Sequence, residues 1–389
     1  MNSKDDIMDT SQLLFEGDFD TQVQEILSFV RLTANQVHNL KHLFDDLEQA
    51  LQDLEPGCYL QPFGSVVTGL GIKTSDVDCY VALPPGVEPH VEHVVQTRNI
   101  LRRYRRKFTQ MFAITKAKVP IVKFIHIPTN FECDVNFKSP MGVQNSKLIA
   151  YLLHLDKRAL PLAVLIKYWS KVHKFSGTNL MGNYSLIMMV VFYFQLMNIL
   201  PSVYDLQRNV PSYMIDNWNT AFDESMQSNT SNSDSLYDLM GGFFKCYSKF
   251  NFKDDIISPY LGCVINKKCF ENLDGIPEQY SLYKENVTRK VCKAPTLSPT
   301  ICIQDPFEHD RILFVSNKLM EKIIFLFQFA SQRFEAERPG NFLRAIYTQV
   351  PNNVATNKAI VIPKHVFQNK VKKQNPKLPK QRMQTVFHT

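Results

Sequence analysis

Two short segments of this sequence carry acidic residues at alternate positions. Asp76 and Asp78 lie in DVDCYVAL, and Glu132 and Asp134 lie in FECDVNF. Alternate side chains of a β-strand share one face, so each pair is predicted to point to one side of its strand. If the two strands are neighbours, they can bring three of these carboxylates together, and such groups repel one another unless cations lie among them.

Carboxylate oxygens favour a hard divalent cation. Mg²⁺ prefers such ligands and keeps positions open for phosphate. Asp76, Asp78 and Asp134 are therefore candidates to hold two Mg²⁺ or Mn²⁺ ions, an arrangement in which one ion activates an attacking hydroxyl and the other holds a triphosphate. An isolated Asp-x-Asp pair is also typical of a solvated turn, and the neighbouring features decide between the two interpretations.

A glycine-serine pair precedes the first acidic segment. Gly64 has no Cβ, which lets the backbone N–H groups of a turn approach phosphate oxygens, and the Ser65 hydroxyl can donate to the same phosphates. The pair has little value by itself. Its place ahead of Asp76 and Asp78 predicts a nucleoside triphosphate beside the metal ions.

The composition is typical of a globular protein. With 389 residues, 44% of them hydrophobic, the chain is long enough for two domains. The apolar run at 184–200 is interrupted by Gln195 and Asn198 and is too short for a membrane span, so it predicts a buried helix. The acidic opening does not resemble a secretory leader, and eight cysteines without a CxxC pair predict reduced thiols and a cytoplasmic location.

The excess of positive charge lies at the C-terminus. The formal net charge is +7, and the last 49 residues contain nine Lys and Arg and no acidic residue. Residues 351–389 are therefore predicted to form a loose basic tail. The tail could solubilise the protein, contact nucleic-acid phosphates or direct nuclear import, and the sequence leaves all three open.

Hydrophobic periodicity predicts an α+β protein with two main parts. Residues 1–20 are expected to be disordered, and residues 21–57 to form a leading helix or helices that pack on the helical domain. Residues 58–150 predict a small mixed-sheet domain with a hairpin in its second half. Residues 151–350 are predicted to be mostly helical, and the active-site cleft is expected between these two domains.

In motif order, residues 25 to 350 resemble the template-independent RNA terminal nucleotidyltransferases of the DNA polymerase β superfamily, which comprise terminal uridylyltransferases and cytoplasmic-type poly(A) polymerases. FGSVVTGLGIKTSDVD resembles the family's Gly-Ser to Asp-x-Asp signature, and AKVPIVKF followed by CDVNF resembles the hairpin that carries its third carboxylate. The resemblance implies a nucleotidyltransferase, or palm, domain over 58–150 in which Asp76, Asp78 and Asp134 are the catalytic metal ligands.

The resemblance extends to residues around the triphosphate. Asn145 matches an asparagine that contacts the ribose, although its position alone predicts a helix cap. Lys167 and Lys171 lie one helical turn apart and could point two ammonium groups at a triphosphate. GNYSLIMMV resembles a motif whose tyrosine stacks on the base, here Tyr184, and Asn183 stands where the family has a serine.

IQDPFEHDRI resembles the family's nucleotide-recognition motif. By that match, Asp305 and Glu308 approach the edge of the base or position the residue that contacts it. Many uridylyltransferases have a histidine three residues past the glutamate, where this chain has Arg311, with His309 shifted by two. Arg311 offers donors to O4 and O2 of uracil and meets the adenine amino group badly, which favours UTP over ATP.

Four arginines form a further candidate surface. Residues 97–111 have helical periodicity, with Arg98, Arg102, Arg105 and Arg106 on the face away from the apolar stripe. This face is either simply solvated or in contact with RNA phosphates.

Together these features predict a monomeric RNA terminal uridylyltransferase that adds UMP from UTP to an RNA 3′ end and does not contact membranes. The alternatives are a poly(A) polymerase that uses ATP and a catalytically silent scaffold that binds RNA or protein on the same fold. An oligonucleotide synthetase is a third alternative, which the Asp-Pro-Phe-Glu match argues against. The predicted location is cytoplasmic, and the basic tail leaves nuclear entry open.

Overall fold

A five-stranded mixed sheet, here called the first sheet, places the two acidic segments side by side. The computed structural model describes residues 6–349, apart from residues 178, 228–229 and 296. The strand order is β1-β2-β5-β4-β3, with β2 and β5 parallel and the other neighbours antiparallel. The strands are β1 (Tyr59–Phe63), β2 (Val77–Ala82), β3 (Phe108–Ile114), β4 (Ile121–His126) and β5 (Phe131–Asn136).

One face of the first sheet is buried under two helices, α2 (Ala34–Leu51) and α3 (Val91–Leu101). Leu43 and Leu47 of α2 and Val94 of α3 pack on this core face. The strand residues that form it alternate with less buried ones, as a half-covered sheet requires. On β2, β4 and β5 they are Val77, Cys79, Val81, Val122, Phe124, Cys133 and Val135. The opposite, open face therefore carries the acidic side chains.

The predicted hairpin is confirmed. β4 and β5 pair antiparallel along their whole length, from Ile121 opposite Asn136 to His126 opposite Phe131. Asn130 has a φ of +57° in the turn, a left-handed conformation that asparagine tolerates better than most residues. The turn therefore fixes which residue of β4 lies beside each acid of β5.

A second, larger core is built mainly from helices. α5 and α6 form its centre, and α6 is apolar on all sides, which is typical of a helix buried all round. The buried helix predicted at 184–200 is thereby confirmed. The helices that contribute to this core are α1 (Phe19–Val30), α4 (Met141–Leu155), α5 (Ala159–Val172), α6 (Asn183–Leu196), α7 (Val203–Gln207), α8 (Leu236–Ser248), α9 (Ser281–Thr288), α10 (Asn317–Ala336) and α11 (Pro339–Thr348).

The helical part also contains strands that the sequence did not indicate. A two-stranded ribbon pairs β6 (Met214–Ile215) with β7 (Trp218–Asn219), and a second sheet has the order β11-β10-β8-β9. Strands of two to four residues are too short to show a clear alternation, which explains the omission. The second sheet consists of β8 (Asp255–Ser258), β9 (Cys263–Asn266), β10 (Cys302–Gln304) and β11 (Ile312–Phe314).

The N-terminal region differs from the expectation in two ways. Residues 1–20 were expected to be disordered, yet Leu13 and Phe15 are buried in the larger core. Gln22 fixes this segment, because its amide donates to the carbonyls of Phe15 and Gly340. The leading helices also divide between the two cores: α1 packs on the helical part as expected, whereas α2 packs on the first sheet.

The helix expected over 97–111 is wrong in its second half. α3 ends at Leu101, and Phe108 already begins β3. Arg98 therefore lies in α3, Arg102 caps its C-terminus, and Arg105 and Arg106 lie in the turn before β3. Phe108 packs in the core of the first sheet. Its spacing alone did not distinguish a buried strand residue from a residue on the apolar stripe of a helix.

Within the described ranges, no helix is both long and apolar enough to cross a membrane. The basic tail at 351–389 lies outside the described residues, so the three roles left open for it stay predictions.

Replacing Asp46 by alanine is expected to destabilise the first sheet. Asp46 is buried on α2 and accepts from Lys107 Nζ at 2.7 Å and from His126 Nε2 at 3.1 Å. Its loss leaves the buried His126 Nε2 without this partner, while Lys107 keeps Gln49 as an acceptor, and the change costs about 1–3 kcal/mol. Urea denaturation measures the change, and the exposed neighbour Asp45→Ala should lie within about 0.5 kcal/mol of wild type. Equal effects of the two substitutions would contradict this role.

Candidate active site

The register of the first sheet pairs two of the predicted acids directly. Asp78 on β2 lies beside Asp134 on β5, and their neighbours Val77 and Cys133 point to the core face. Asp78 and Asp134 therefore share the open face. Asp76 lies two residues before Asp78, just ahead of β2. The sheet thus brings the three predicted carboxylates together.

Lys123 lies among these carboxylates. Its ammonium nitrogen is 3.0 Å from Asp134 Oδ1, 3.5 Å from Asp76 Oδ2 and 3.7 Å from Glu132 Oε2. Burial alone would lower the pKa of Lys123, but the hydrogen bond and charge of Asp134 and the charge of Asp76 raise it overall. The lysine is therefore a permanent cation in the acidic cluster. It was missed from the sequence, where its signal is a single charged residue in an otherwise apolar strand.

The electrostatic cost of the cluster falls mainly on Asp78. Burial, followed by the negative charges of Asp134 and Asp76, raises the pKa of Asp78 to about 7. Burial also raises the pKa of Asp134, although Lys123 partly offsets the effect. Buried carboxylates close to one another are poorly stable as anions without a compensating charge, so added positive charge would stabilise the ionised cluster.

The donor set fits a divalent cation chemically, since three carboxylates converge on one open face. As they stand, the described residues include no group of three or more His, Cys, Asp or Glu side chains arranged to hold a metal ion. The Lys123 ammonium lies within 4 Å of Asp76, Glu132 and Asp134.

Gly64 and Ser65 lie directly against the cluster. Gly64 follows β1 with a φ of +78°, and a Cβ at this position would overlap the carboxylate of Asp78. Glycine is therefore required here for both conformation and space. Its N–H donates to Ser146 Oγ at 2.7 Å, so this particular N–H is used within the protein. Ser65 lines the adjoining cavity.

That cavity has a volume of about 320 Å³ and joins acidic to basic residues. Its lining includes Asp76 and Asp78 together with Lys167 and Lys171 of α5. Further lining residues, which were not predicted, are Ile72, Thr74, Ser75, Gly177 and Gly182. The cavity can thus hold an anion that bridges lysines and metal-bound carboxylates.

Lys167 is buried at the base of this cavity. Its ammonium donates to the Leu70 carbonyl at 2.8 Å and to Ser75 Oγ at 3.2 Å. Burial and then the charge of Lys171 lower the pKa of Lys167 to about 7, against the opposing effect of Asp78 and Asp76. A negative ligand in the cavity would reverse this shift, since an adjacent anion favours the charged lysine.

Two asparagines present buried oxygens that have no hydrogen-bond partner among the described residues. One is Oδ1 of Asn183, which lies at the first turn of α6 and lines the cavity. The other is Oδ1 of Asn145, which is buried within α4 and is not the helix cap that its position suggested. Unsatisfied buried polar atoms are costly, so both are expected to have a function or a missing ligand.

The predicted base-recognition residues form a network in the turn between β10 and β11. Asp305 is fully buried and accepts from the backbone N–H groups of Phe307 and Glu308, and from Tyr184 Oη at 3.2 Å. Arg311 Nη1 lies 2.7 Å from Glu308 Oε2 and 3.5 Å from Asp305 Oδ2. Burial raises the pKa of Asp305, and the charge of Arg311 opposes the shift. This network holds Tyr184 and the half-exposed Arg311 in fixed positions.

His309 does not take part in this network. It is buried among Trp218, Tyr260 and Tyr280, and burial lowers its pKa to about 3. The shifted histidine therefore cannot substitute for Arg311 as a reader of the base. The four arginines predicted as an RNA surface are also not part of the cavity lining.

Two family models match this chain. The central palm domain of the mitochondrial-like poly(A) RNA polymerases matches residues 19–154, and the Cid1 family poly(A) polymerase model matches residues 235–311. The first match contains the carboxylate cluster, and the second contains the Asp305–Arg311 turn. The two parts of the site thus fall in two separately recognised domains.

Characterised relatives include enzymes named for both bases. Poly(A) RNA polymerase cid11 of Schizosaccharomyces pombe is 31% identical over 212 residues, which is 53% of this chain and 43% of the relative. The terminal uridylyltransferase cid1 of the same yeast is 24% identical over 60% of each chain. HESO1 of Arabidopsis thaliana is 25% identical over 85% of this chain and 66% of its own. The chain thus spans roughly two fifths to two thirds of these relatives.

Solved structures share the fold. A crystal structure of mtPAP with UTP has a TM-score of 0.74 at 20% identity, covering 89% of this chain and 75% of the other. A structure of the Cid1 poly(U) polymerase with MgGTP has a TM-score of 0.70 at 21% identity, covering 85% and 99%. The α+β architecture predicted from the sequence is therefore confirmed.

Replacing Asp78 by asparagine is expected to stabilise the metal-free protein. In the unfolded chain Asp78 ionises near its ordinary pKa of 3.8, whereas in the folded chain its pKa is about 7. The folded state thus binds more protons between these values, and its stability falls as the pH rises through that window and stays low above it. Asparagine removes this loss, which is worth about 1–3 kcal/mol.

Thermal denaturation with EDTA at pH 8 and pH 5 tests this expectation. Asp78→Asn should exceed wild type in melting temperature at pH 8, and the difference should shrink at pH 5. The exposed Asp45→Asn is the control and should show no such gap. A variant no more stable than wild type at pH 8 would mean that the carboxylates do not repel in the folded protein.

Proposed function

This chain belongs to the family of poly(A) and terminal uridylyl RNA polymerases with a DNA polymerase β-type palm, and on that premise we propose that it adds UMP from UTP to the 3′-hydroxyl of an RNA and releases pyrophosphate. The observation that carries the proposal is the pairing of Asp78 with Asp134 on the open face, next to a cavity closed by Lys167 and Lys171. An acidic cluster beside two lysines suits a substrate that brings both metal ions and phosphates.

Asp76, Asp78 and Asp134 would hold the divalent cations, Mg²⁺ or Mn²⁺. The bound cations supply positive charge that lowers the pKa of the attacking 3′-hydroxyl and neutralises the triphosphate. The contribution of the chain itself is to fix the carboxylates on adjacent strands before the substrate arrives. Lys123 balances part of their charge in the absence of other cations.

The phosphates would lie in the cavity between Ser65 and the two lysines. Lys167, whose pKa is about 7 in the free protein, is expected to become fully protonated when an anion binds beside it. Lys171 and Ser65, which also line the cavity, would provide further contacts to the phosphates. The unpartnered Asn183 oxygen at this cavity and the buried Asn145 oxygen would find partners in the ribose hydroxyls or ordered water.

The choice of UTP rests on the recognition turn. Tyr184 would stack on the base, and Arg311 would address its edge from a position set by Asp305 and Glu308. A guanidinium carries only donors, so it complements the O2 and O4 acceptors of uracil and opposes the adenine amino group. One relative is named a poly(A) RNA polymerase and another a terminal uridylyltransferase, so their names support either base. The alternative to UTP is therefore a preference for ATP. The proposal includes a cytoplasmic, monomeric protein, and it leaves nuclear entry through the basic tail open.

Replacing Asp134 by asparagine should abolish nucleotide incorporation, with a loss of at least about 10³-fold, because the cluster loses a ligand that lies beside Asp78. The assay is extension of a labelled RNA oligonucleotide with each of the four nucleoside triphosphates separately and with Mg²⁺. Glu132→Gln is the matched control on the same strand and face, and should keep most activity. A fully active Asp134→Asn protein, or a wild type inert with every triphosphate, would contradict the enzymatic proposal and favour a silent scaffold.

Replacing Arg311 by alanine should lower kcat/KM for UTP about tenfold or more and reduce the preference for UTP over ATP. The physical reason is the loss of charge-assisted hydrogen bonds, each worth about 1.5–3 kcal/mol. Competition between UTP and ATP in one reaction measures the preference. Arg333→Ala, which removes an arginine paired with Glu337 on α10, is the control. A wild-type protein that prefers ATP would refute the uridylyl assignment while leaving the transferase intact.

A further inference from the structure

An exposed aromatic side chain continues the catalytic row across the first sheet. Asp78 lies beside Asp134, Asp134 lies opposite Lys123, and Lys123 lies opposite Phe112 on the edge strand β3. Residues directly opposite each other in a sheet point to the same face. The open face therefore carries two aspartates, a lysine and a phenylalanine side by side on four successive strands.

The burial of β3 confirms this orientation. Met111 and Ala113, the neighbours of Phe112, pack against the core of the first sheet. Phe112 and Ile114 belong to neither core and are 59% and 41% exposed. The register between β3 and β4 shifts between Thr109 and Phe112, and Gln110 has a φ of +51° at this irregularity. Bulges of this kind re-aim side chains near active sites, and here the bulge sets Phe112 opposite Lys123.

We propose that Phe112, with Ile114 beside it, is a stacking platform for a base of the RNA segment that leads to the 3′-hydroxyl. The inference rests on the proposed function. Two strand spacings of about 4.8 Å place the Cα of Phe112 roughly 10 Å from that of Asp134, close enough for one RNA end to reach both. Aromatic side chains that face solvent beside a polymer-binding site are used in this way, because every base has a π-face.

The surrounding charge favours RNA over a protein strand as the occupant. The connection from β3 to β4 carries Lys116 and Lys118, both exposed, and no acidic residue. Lys138, just after β5, donates to the Lys118 carbonyl and adds a third positive charge beside this connection. A phosphate backbone would meet these lysines while its bases contact Phe112. The platform is also continuous with the carboxylates at which the 3′-hydroxyl must end.

The site therefore has two separable parts. The carboxylates and the cavity act on the triphosphate, whereas Phe112 contacts only the RNA. Its removal should raise the KM for RNA and leave the KM for UTP and kcat at saturating RNA nearly unchanged. Since stacking is not an ionic contact, the slope of RNA affinity against salt should also stay the same.

The experiment compares Phe112→Ala, Phe112→Leu and Phe112→Tyr with wild type. Fluorescence anisotropy of a labelled single-stranded RNA, without nucleotide, measures binding, and primer extension measures the two KM values. Alanine and leucine should each weaken RNA binding by about fivefold or more, and tyrosine should restore it, since only the aromatic face matters. Val264→Ala on β9, 42% exposed, is the surface control and should bind RNA like wild type.

Equal RNA affinity in wild type and Phe112→Ala would overturn the proposed stacking role. A Phe112→Leu variant that binds RNA as tightly as Phe112→Tyr would also overturn it. Unchanged urea midpoints show that a loss of binding is not a loss of folding. Failure of the platform is distinguishable from failure of the proposed function. If only the platform fails, wild type extends RNA and the Phe112 variants match it. If the proposed function fails, wild type does not extend RNA with any of the four triphosphates.

Discussion

The mutual repulsion of carboxylates on one face of a sheet is the constraint on which the site depends. Asp78 and Asp134 lie side by side on parallel strands, and Asp76 approaches the same ammonium group as Asp134. The strands cannot relieve the repulsion by turning, because Val77, Cys79, Cys133 and Val135 hold the opposite face in a hydrophobic core. The free energy of core burial thus maintains an arrangement that electrostatics alone would disperse.

Opposite charges around the cluster keep this cost tolerable. Lys123 lies among the acids, and Lys167 lines the same cavity of about 320 Å³ as Asp76 and Asp78. The pKa of Asp78 is raised to about 7 and that of Lys167 is lowered to about 7, so both groups are poised to change protonation when charged ligands arrive. Cations beside the acids and phosphates beside the lysines would relieve both shifts at once. The two shifts are those expected of a site that binds a metal-bound triphosphate, as we propose.

The sequence predicted the parts of this site that depend on local pattern. The alternating acids predicted the acidic open face of β2 and β5, and the glycine-serine pair predicted the turn that lies against Asp78. It did not reveal Lys123 as a partner of Asp134, because that pairing depends on the length of the hairpin turn at 127–130. It also missed the second sheet, whose strands are too short for a period, and the assignment of α2 to the first sheet. Tertiary packing decides such features, and a residue-by-residue pattern does not contain it.

A crystal soaked with Mn²⁺ and a non-hydrolysable nucleoside triphosphate tests the central claim most directly. The account predicts anomalous density among the carboxylates of Asp76, Asp78 and Asp134, and movement of the Lys123 ammonium away from Asp76 as the cations take over its role. The triphosphate should lie against Lys167 and Lys171. Anomalous density elsewhere, or none at these acids with Lys123 unmoved at saturating Mn²⁺, would contradict the account.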